Sequence, residues 1–446
     1  MVNILFGTSG IRGVVNEGIT PELALILGRV IVKKRGARIA IGRDTRLSGP
    51  ILEEALVAGI NSSGGCAIKL GVVSTPTVAI ATRERAERGV MITASHNPPQ
   101  YNGFKLYNRF GEEMSRDEEK AVESALATNK FGPFEPDGTC GSYNVEDAVE
   151  RHMEIALGLT DLKAIGRRKP TVVVDCGNGA ACSIAPFLLK KAGCRVISVN
   201  AEPSGVFSRV LEPNRESLED ACSLVRSSGA DMGVGYDGDG DRAVVIDESG
   251  EVLGLDEQLS LLSSHIARNG GTVVSTVEAS LAVREAVEKN GGKLITTEVG
   301  SRNVAEAIRA NGAVFGGEPC GEYIFPEEVL SPDGMLATLK FVELLCKEGR
   351  LGKLRKNVKK YPIKRAKFSC SDRKAAMERI KGIVTREFRG EVNESDGVRV
   401  DFSGGWLLVR ASGTEPIIRI TCEHRNKNEL EKVFSKAERI VKEGVQ

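Results

Sequence analysis

The sequence predicts an α/β protein of four domains, three related segments built on parallel sheets followed by a smaller α+β segment at the C-terminal end. Three observations lead there. The chain has 446 residues, too many for one hydrophobic core and enough for three or four domains of roughly 100–150 residues each. Three stretches share one pattern: RIAIGRDTRLSGPILEEALVAGINSSGGCAIKLG, KPTVVVDCGNGAACSIAPFLLKKAGCRVISVN and GGTVVSTVEASLAVREAVEKNGGKLITTEVG. Each gives a short β-branched strand, a polar turn, an amphipathic helix stopped by glycine (Gly64, Gly193, Gly291) and a second strand. After about Tyr361 that rhythm gives way to strands joined by short turns, GVRVDFSGGWLLVRASGTEPIIRITCEH, and a closing amphipathic helix, NELEKVFSKAERIVKEG. The expected segments are 1–150, 151–252, 253–361 and 362–446. Strands alternating with helices imply sheets covered on both faces, with sites on the loops at the strand C-terminal ends.

Composition narrows the function classes. Lysine and arginine number 61 against 60 aspartate and glutamate, so no global field attracts nucleic acid or an acidic membrane surface, and any anion site must be built locally. The ten cysteines contain no C-x-x-C pair, which suits a reducing compartment and buried small side chains better than a disulfide framework or structural zinc. No long apolar run and no cleavable leader is visible, so the expected location is the cytoplasm. The 50 glycines exceed a usual share of about 7% because they punctuate turns.

In the first segment, the apolar GVMIT reads as a strand ending at Thr93, which places Ser95 and His96 on the loop at its carboxyl end. Asn97-Pro98 makes a tight turn able to push the serine outward. Lys105 follows ten residues beyond the serine. A plain polar turn is the alternative, and the absence of a G-x-S-x-G elbow argues against an ordinary hydrolase.

The second segment carries MGVGYDGDGDRAVVIDESG, in which Asp237, Asp239 and Asp241 alternate with glycines between two apolar strands. Three converging carboxylates repel one another unless a cation sits among them, and an all-oxygen donor set selects a hard ion, Mg²⁺ first. The stretch nearly matches a calcium-binding EF-hand loop, with Glu248 at the twelfth position. Arg242 stands where that loop needs glycine, and the flanks read as strands. An Asp-Gly hairpin is the remaining alternative.

In the last segment, LLVRASGTEPIIRI offers Arg410, Ser412, Gly413 and Thr414, a guanidinium fork, two hydroxyls and open backbone suited to a phosphate dianion, or else a surface turn. FGTSGIRG adds Arg12 to the phosphate theme. CGNGAAC lacks the third glycine of a dinucleotide fingerprint.

TASHNPPQYNGFK, DGDGDR, GGEPCG and RASGTEP, in this order and at these separations, resemble the α-D-phosphohexomutase superfamily along essentially the whole chain. The resemblance implies three related α/β domains with mixed, largely parallel sheets and a smaller fourth domain around a central cleft. It implies an isomerase that moves a phosphoryl group between the 6- and 1-hydroxyls of a hexose, with sugar phosphates as its partners and no nucleic acid or membrane. Ser95 would carry the phosphoryl group, and one Mg²⁺ per chain would be held by Ser95, Asp237, Asp239 and Asp241. Arg12 and Arg242 would steady the phosphate, and His96 and Lys105 would assist proton transfer. Glu318, Cys320 and Glu322 would read sugar hydroxyls, while Arg410, Ser412, Gly413 and Thr414 would grip the phosphate that is not reacting. A hexose 1,6-bisphosphate would be both intermediate and activator.

A phosphoserine brings up to about two negative charges and the aspartates three, so one Mg²⁺ leaves about minus three, which Arg12, Lys105 and Arg242 can offset. GEPCGEY departs from the Gly-Glu-x-Ser-Gly-His loop of many relatives, with Cys320 in the serine position and Glu322 in the histidine position. The added carboxylate favours an ammonium-bearing sugar. FGTSGIRG resembles the glucosamine enzymes and NPPQYNGFK the mannose and glucose enzymes. The expected reaction is therefore that of a phosphoglucosamine mutase, with a phosphomannomutase/phosphoglucomutase as alternative and a sugar-phosphate phosphatase or non-catalytic sensor more distant. Monomer and homodimer both stay open.

Overall fold

The computed structural model describes residues 6–7, 10–128, 141–412 and 415–445. The chain forms two compact units, Met1–Gln258 with Cys320–Arg355, and Leu259–Pro319 with Lys356–Gln446.

The first unit contains a six-stranded sheet in the order Ile11–Val14, Tyr101–Tyr107, Arg88–Ile92, Arg38–Arg43, Cys66–Val72, Tyr143–Asn144. Arg38–Arg43 lies parallel to both its neighbours, as expected where a helix separates two strands. Tyr101–Tyr107 runs antiparallel to both of its own. The reason is local: the chain turns back at Asn97-Pro98 without a crossover helix, and that return sets Lys105 opposite Met91 and Gly103 opposite Arg12. Helix Pro21–Ile31 is capped by the Thr20 hydroxyl. Its Leu23 and Leu27 pack with Leu52, Leu56 and the strand residues Ile39, Ile41, Val90 and Ile92 in one buried cluster. Each fully buried aliphatic side chain of this kind contributes about 1.5–3 kcal/mol, so the sheet that carries the Ser95 loop is firmly backed.

A four-stranded sheet in the same unit has the order Ala243–Ile246, Met232–Tyr236, Thr171–Asp175, Arg195–Val199. It is parallel except for the antiparallel edge pair Met232–Tyr236 and Ala243–Ile246. The flanks of the aspartate loop are thus strands, which removes the EF-hand reading. The unit also holds the hairpin Glu322–Phe325 with Val329–Pro332 and helix Gly334–Glu348, whose first amides are capped by Asp333.

In the second unit, Thr272–Thr276 lies parallel to Lys293–Thr297 and to Phe315–Glu318. A five-stranded antiparallel sheet follows, in the order Ile363–Ser369, Ile417–His424, Gly405–Ala411, Val398–Phe402, Glu391–Asn393. The two-residue connection Ser403-Gly404 between paired Phe402 and Gly405 explains the direction, because so short a turn can only join antiparallel neighbours. Helices Arg373–Glu387 and Lys427–Gly444 cover the sheet through Ile380, Val384, Phe434 and Ile440. The expected fold class, three α/β portions with mixed, largely parallel sheets and a C-terminal α+β portion, is the observed one.

Among the described residues no helix is long and apolar enough to cross a membrane. Cys176, Cys182, Cys194, Cys222, Cys370 and Cys422 are buried free thiols, in line with their expected packing role. Cys66 is disulfide-bonded, an exception to the packing role expected of most of the cysteines.

Candidate active site

Strand Arg88–Ile92 ends three residues before Ser95, and the serine sits at a left-handed φ of 52°. Its backbone N–H donates to Thr93 Oγ1 at 2.8 Å, and its own Oγ donates to Asp237 Oδ2 at 2.7 Å. His96 Nδ1 lies 3.2 Å from the same Oγ. The serine is buried and meets the aspartate loop directly, so a solvated turn is excluded.

Asp237, Asp239 and Asp241 are all buried, and one oxygen of each lies within 4.8 Å of the others. Asp237 Oδ1 accepts from the amides of Gly240 and Arg242 at 3.0 and 3.2 Å, which wraps the loop around its first carboxylate. Lys105 Nζ donates to Asp239 Oδ2 at 2.8 Å and to Asp241 Oδ2 at 2.5 Å. Burial and the neighbouring Asp241 and Asp239 push the Asp237 pKa well up. Burial also opposes ionisation of Asp239, but Lys105 outweighs it and holds that carboxyl below the usual range. Burial works against the Lys105 ammonium, yet Asp239 and Asp241 raise its pKa well above the ordinary value. Lys105 reaches two of the three carboxylates, and among the described residues Asp239 Oδ1 and Asp241 Oδ1 are buried without a hydrogen-bond partner. Orphaned hard oxygen donors of this kind fit a divalent cation.

The loop can sit against Ser95 only because Gly238 has no side chain: a Cβ there would lie 2.5 Å from the Ser95 carbonyl oxygen. Gly179 meets the loop from the other side, and a Cβ on it would lie 2.6 Å from Gly238 O. The Ala180 amide donates to that same oxygen at 2.9 Å. The glycines of CGNGAAC therefore make room for the aspartate loop.

Arg242 donates through Nη1 to Glu212 Oε1 at 3.0 Å and through Nε to Glu322 Oε1 at 3.1 Å. Glu212 Oε2 also lies 3.5 Å from His96 Nδ1. Burial, then the Arg242 and Arg12 cations, brings the His96 pKa down to about 3, so its imidazole is neutral at pH 7. Arg12 Nη1 donates to Asn97 Oδ1 at 3.3 Å, and among the described residues its buried Nε has no partner. Cys320 is half-buried. Gly321 O accepts from the Ala243 amide at 3.0 Å, which lays the Cys320–Glu322 turn beside Arg242.

The remaining expected residues belong to the second unit. Glu318 ends strand Phe315–Glu318, and its Oε2 accepts from the Gly300 amide at 3.0 Å. Arg410, on strand Gly405–Ala411, donates through Nη1 to Glu278 Oε1 at 3.4 Å and forms an ion pair with Asp396 Oδ2 at 3.1 Å; among the described residues its buried Nε has no partner. Ser412 is buried, and its carbonyl is held by Arg373 Nη1. Gly413 and Thr414 lie outside the described residues.

Sequence reasoning missed the supports. Thr75, at the start of helix Thr75–Arg85, gives its hydroxyl to Asp239 Oδ2 at 2.5 Å and its amide to Asp239 O at 2.9 Å. His152 joins Thr77 at 2.8 Å to Asp333 at 2.7 Å. Gly334, next to Asp333, would place a Cβ 2.9 Å from Gly240 O, so the helix it begins abuts the loop. None of these residues stands in a motif of its own.

Comparison with known proteins follows the same geometry. Four family models match in order: phosphoglucomutase/phosphomannomutase α/β/α domain I over residues 3–133, domain II over 150–250, domain III over 255–361 and the C-terminal domain over 365–440. A probable phosphoglucosamine mutase of Methanosarcina barkeri is 41% identical over 99% of this chain and 99% of its own. A solved phosphoglucomutase/phosphomannomutase family protein of Burkholderia thailandensis superposes with a TM-score of 0.89 at 25% identity, covering 99% and 98% of the two chains. The N-acetylphosphoglucosamine mutase of Aspergillus fumigatus, solved with GlcNAc-6P and magnesium, shares the fold at 16% identity, with a TM-score of 0.64 over 99% and 96%.

Proposed function

The chain belongs to the phosphoglucomutase/phosphomannomutase family and is an isomerase of the phosphohexomutase type, and from that premise we propose that it interconverts glucosamine 6-phosphate and glucosamine 1-phosphate through a phosphorylated Ser95. The observation that carries the reading is the 2.7 Å contact of Ser95 Oγ with Asp237 inside the cluster of Asp239, Asp241 and Lys105. The choice of sugar rests on relatives about 40% identical along nearly their whole length.

Asp237, Asp239 and Asp241 would hold one Mg²⁺ with the phosphorylated Ser95, and the ion, when bound, supplies charge neutralisation for the transferring group. Phosphoryl transfer then asks the chain mainly for positioning and fixed positive charge, because the transition state is loose and its charge is spread over the equatorial oxygens. The sugar hydroxyl oxygen bonds to phosphorus as the Ser95 Oγ–P bond breaks. Lys105 remains an ammonium throughout and balances charge. His96, neutral at pH 7 and beside Oγ, is the group able to accept a proton. Arg12 and Arg242 steady the phosphate. The hexose 1,6-bisphosphate so formed, which would also act as activator, turns over, and its other phosphate returns to Ser95. Arg410, Ser412, Gly413 and Thr414 are assigned to the non-reacting phosphate, and Glu318, Cys320 and Glu322 to the sugar hydroxyls. Arg242 engages Glu322 Oε1, so an ammonium-bearing sugar would meet Glu322 through its other oxygen. The division at 150, 252 and 361 and a cytoplasmic location belong to the same reading.

Turnover of glucosamine, glucose and mannose 6-phosphates, measured side by side, tests it. The glucosamine compound should be preferred, with the 1-phosphate as product. A strong preference for mannose 6-phosphate would refute the sugar assignment, and release of free phosphate at the rate of turnover would replace the mutase with a phosphatase.

A further inference from the structure

We propose that Arg46 is a positioning residue for phosphoryl transfer at Ser95, an inference that rests on the reading of Ser95 as the phosphoryl carrier. Arg46 is 1% exposed, and its guanidinium makes five hydrogen bonds. Nε donates to Asp44 Oδ2 at 3.0 Å. Nη1 donates to the carbonyls of Pro98 and Tyr101 at 2.7 and 2.9 Å. Nη2 donates to the carbonyls of Ser95 and Asn97, both at 2.8 Å. Four carbonyls spread over the loop from Ser95 to Tyr101 thus converge on one side chain.

The other half of the device is Thr93. Its hydroxyl donates to Asp44 Oδ2 at 2.7 Å and accepts from the Ser95 amide at 2.8 Å. Both backbone groups of Ser95 are therefore tied, through Arg46 and Thr93, to the single carboxylate of Asp44. Sheet topology brings these residues together: Arg43 is paired with Ile92 in parallel register, and the Asp44 amide donates to Ile92 O at 3.1 Å. GRDTR and MITAS leave neighbouring strands side by side.

Left-handed backbone is unfavourable for a residue that carries a Cβ. At Ser95 the surrounding bonds hold it there at φ 52°, and the result is Oγ aimed at Asp237. Without the guanidinium, four carbonyls lose its N–H groups, Pro98 O keeping the Tyr101 amide, and the serine is free to relax toward an ordinary backbone, which moves Oγ off its aim. Lysine cannot substitute, because a point charge with three donors does not reproduce a planar five-donor fork.

The test uses the full-length protein with Mg²⁺ and compares wild type, Arg46→Lys and Thr93→Val. The rate at which hexose 1,6-bisphosphate phosphorylates Ser95 is followed by intact mass, alongside steady-state kcat and KM. Arg46→Lys should lower both the phosphorylation rate and kcat by about 100-fold, the scale expected for an ångström-level misplacement, with KM for the sugar phosphate within about threefold. Thr93→Val, close in shape and with the Arg46 side chain itself unchanged, should lose about tenfold and supplies the test should Arg46→Lys not fold. A merely structural arginine would lower the melting temperature while the folded fraction kept its kcat. Wild-type phosphorylation rates in both folded variants, or in Thr93→Val alone if only it folds, would overturn the inference. If wild type itself never acquires phosphate at Ser95, the phosphoserine reading falls and this inference with it.

Discussion

Ser95 Oγ donates a hydrogen bond to Asp237 Oδ2 at 2.7 Å although 142 positions separate the two residues in sequence. The contact joins the loop after strand Arg88–Ile92 to the loop after strand Met232–Tyr236, both at strand carboxyl ends. On the proposed reading, a phosphoryl group carried by Ser95 would arrive where hard oxygen donors and cations already converge.

Ser95→Ala should abolish isomerisation while leaving sugar-phosphate binding within about threefold, since the nucleophile acts in the chemical step and not in ground-state affinity. Turnover assayed beside equilibrium binding checks this, and full activity in the variant would end the covalent account.

Chelation should remove activity and added Mg²⁺ restore it. Asp239→Asn should raise the half-saturating Mg²⁺ concentration by about tenfold or more, because outer and inner carboxylates of hard-ion sites are costly to neutralise. A magnesium titration of activity that superposes for wild type and variant would show that Asp239 does not hold the ion.

Gly238→Ala should lower kcat by about 100-fold and stability by about 1–3 kcal/mol. The new Cβ would stand 2.5 Å from Ser95 O and 3.2 Å from Leu211 Cδ1, and backbone cannot yield as a flexible side-chain tip can. Denaturant melts and turnover read the two effects. An alanine variant with unchanged kcat would mean that the two loops separate at no cost to the reaction.

The His96 pKa, lowered from 6.5 to about 3, has a consequence for stability. Between those values the unfolded chain binds a proton at this position that the folded chain refuses, so the contribution is present above about pH 6.5 and is lost as pH falls toward 3. Relative to His96→Gln, wild type should lose about 1 kcal/mol between pH 7 and pH 5, less than the full shift allows because the ring is partly exposed. Urea melts at the two pH values decide it, and a loss of equal size in the variant would assign the effect to other groups.

Arg410→Ala should raise KM for the sugar phosphate about 30-fold, or about 2 kcal/mol, the loss of a charge-assisted contact partly shielded from water. Its guanidinium meets both Glu278 and Asp396, and the proposed reading assigns it to the non-reacting phosphate. Unchanged KM would mean that the RASGTEP loop has been misread.

What was legible in the sequence was chemistry compressed into short range. The alternating Asp237, Asp239 and Asp241 announce the converging carboxylates that the structure shows, because three carboxylates within five positions are held close to one another. The βα repeats announce covered sheets because period and punctuation are local. Arg46, Thr75, His152 and Glu212 were not legible, since each acts through a residue far along the chain and each looks like an ordinary polar position in its own segment. GRDTR reads as a turn until the parallel pairing of Arg43 with Ile92 sets it against the serine loop. Glu322 was legible as an added carboxylate, but its engagement by Arg242 depends on a bridge between distant strands. The antiparallel return of Tyr101–Tyr107 could have been read from the absence of any helix between it and the preceding strand.

The most direct measurement is the intact mass of the purified protein before and after exposure to a hexose 1,6-bisphosphate with Mg²⁺, with the modified peptide mapped. The account predicts a gain of one phosphoryl group, located on Ser95 and discharged again when a hexose monophosphate is added. A protein that turns over substrate with Ser95 never modified, or with the phosphate on another residue, would contradict it.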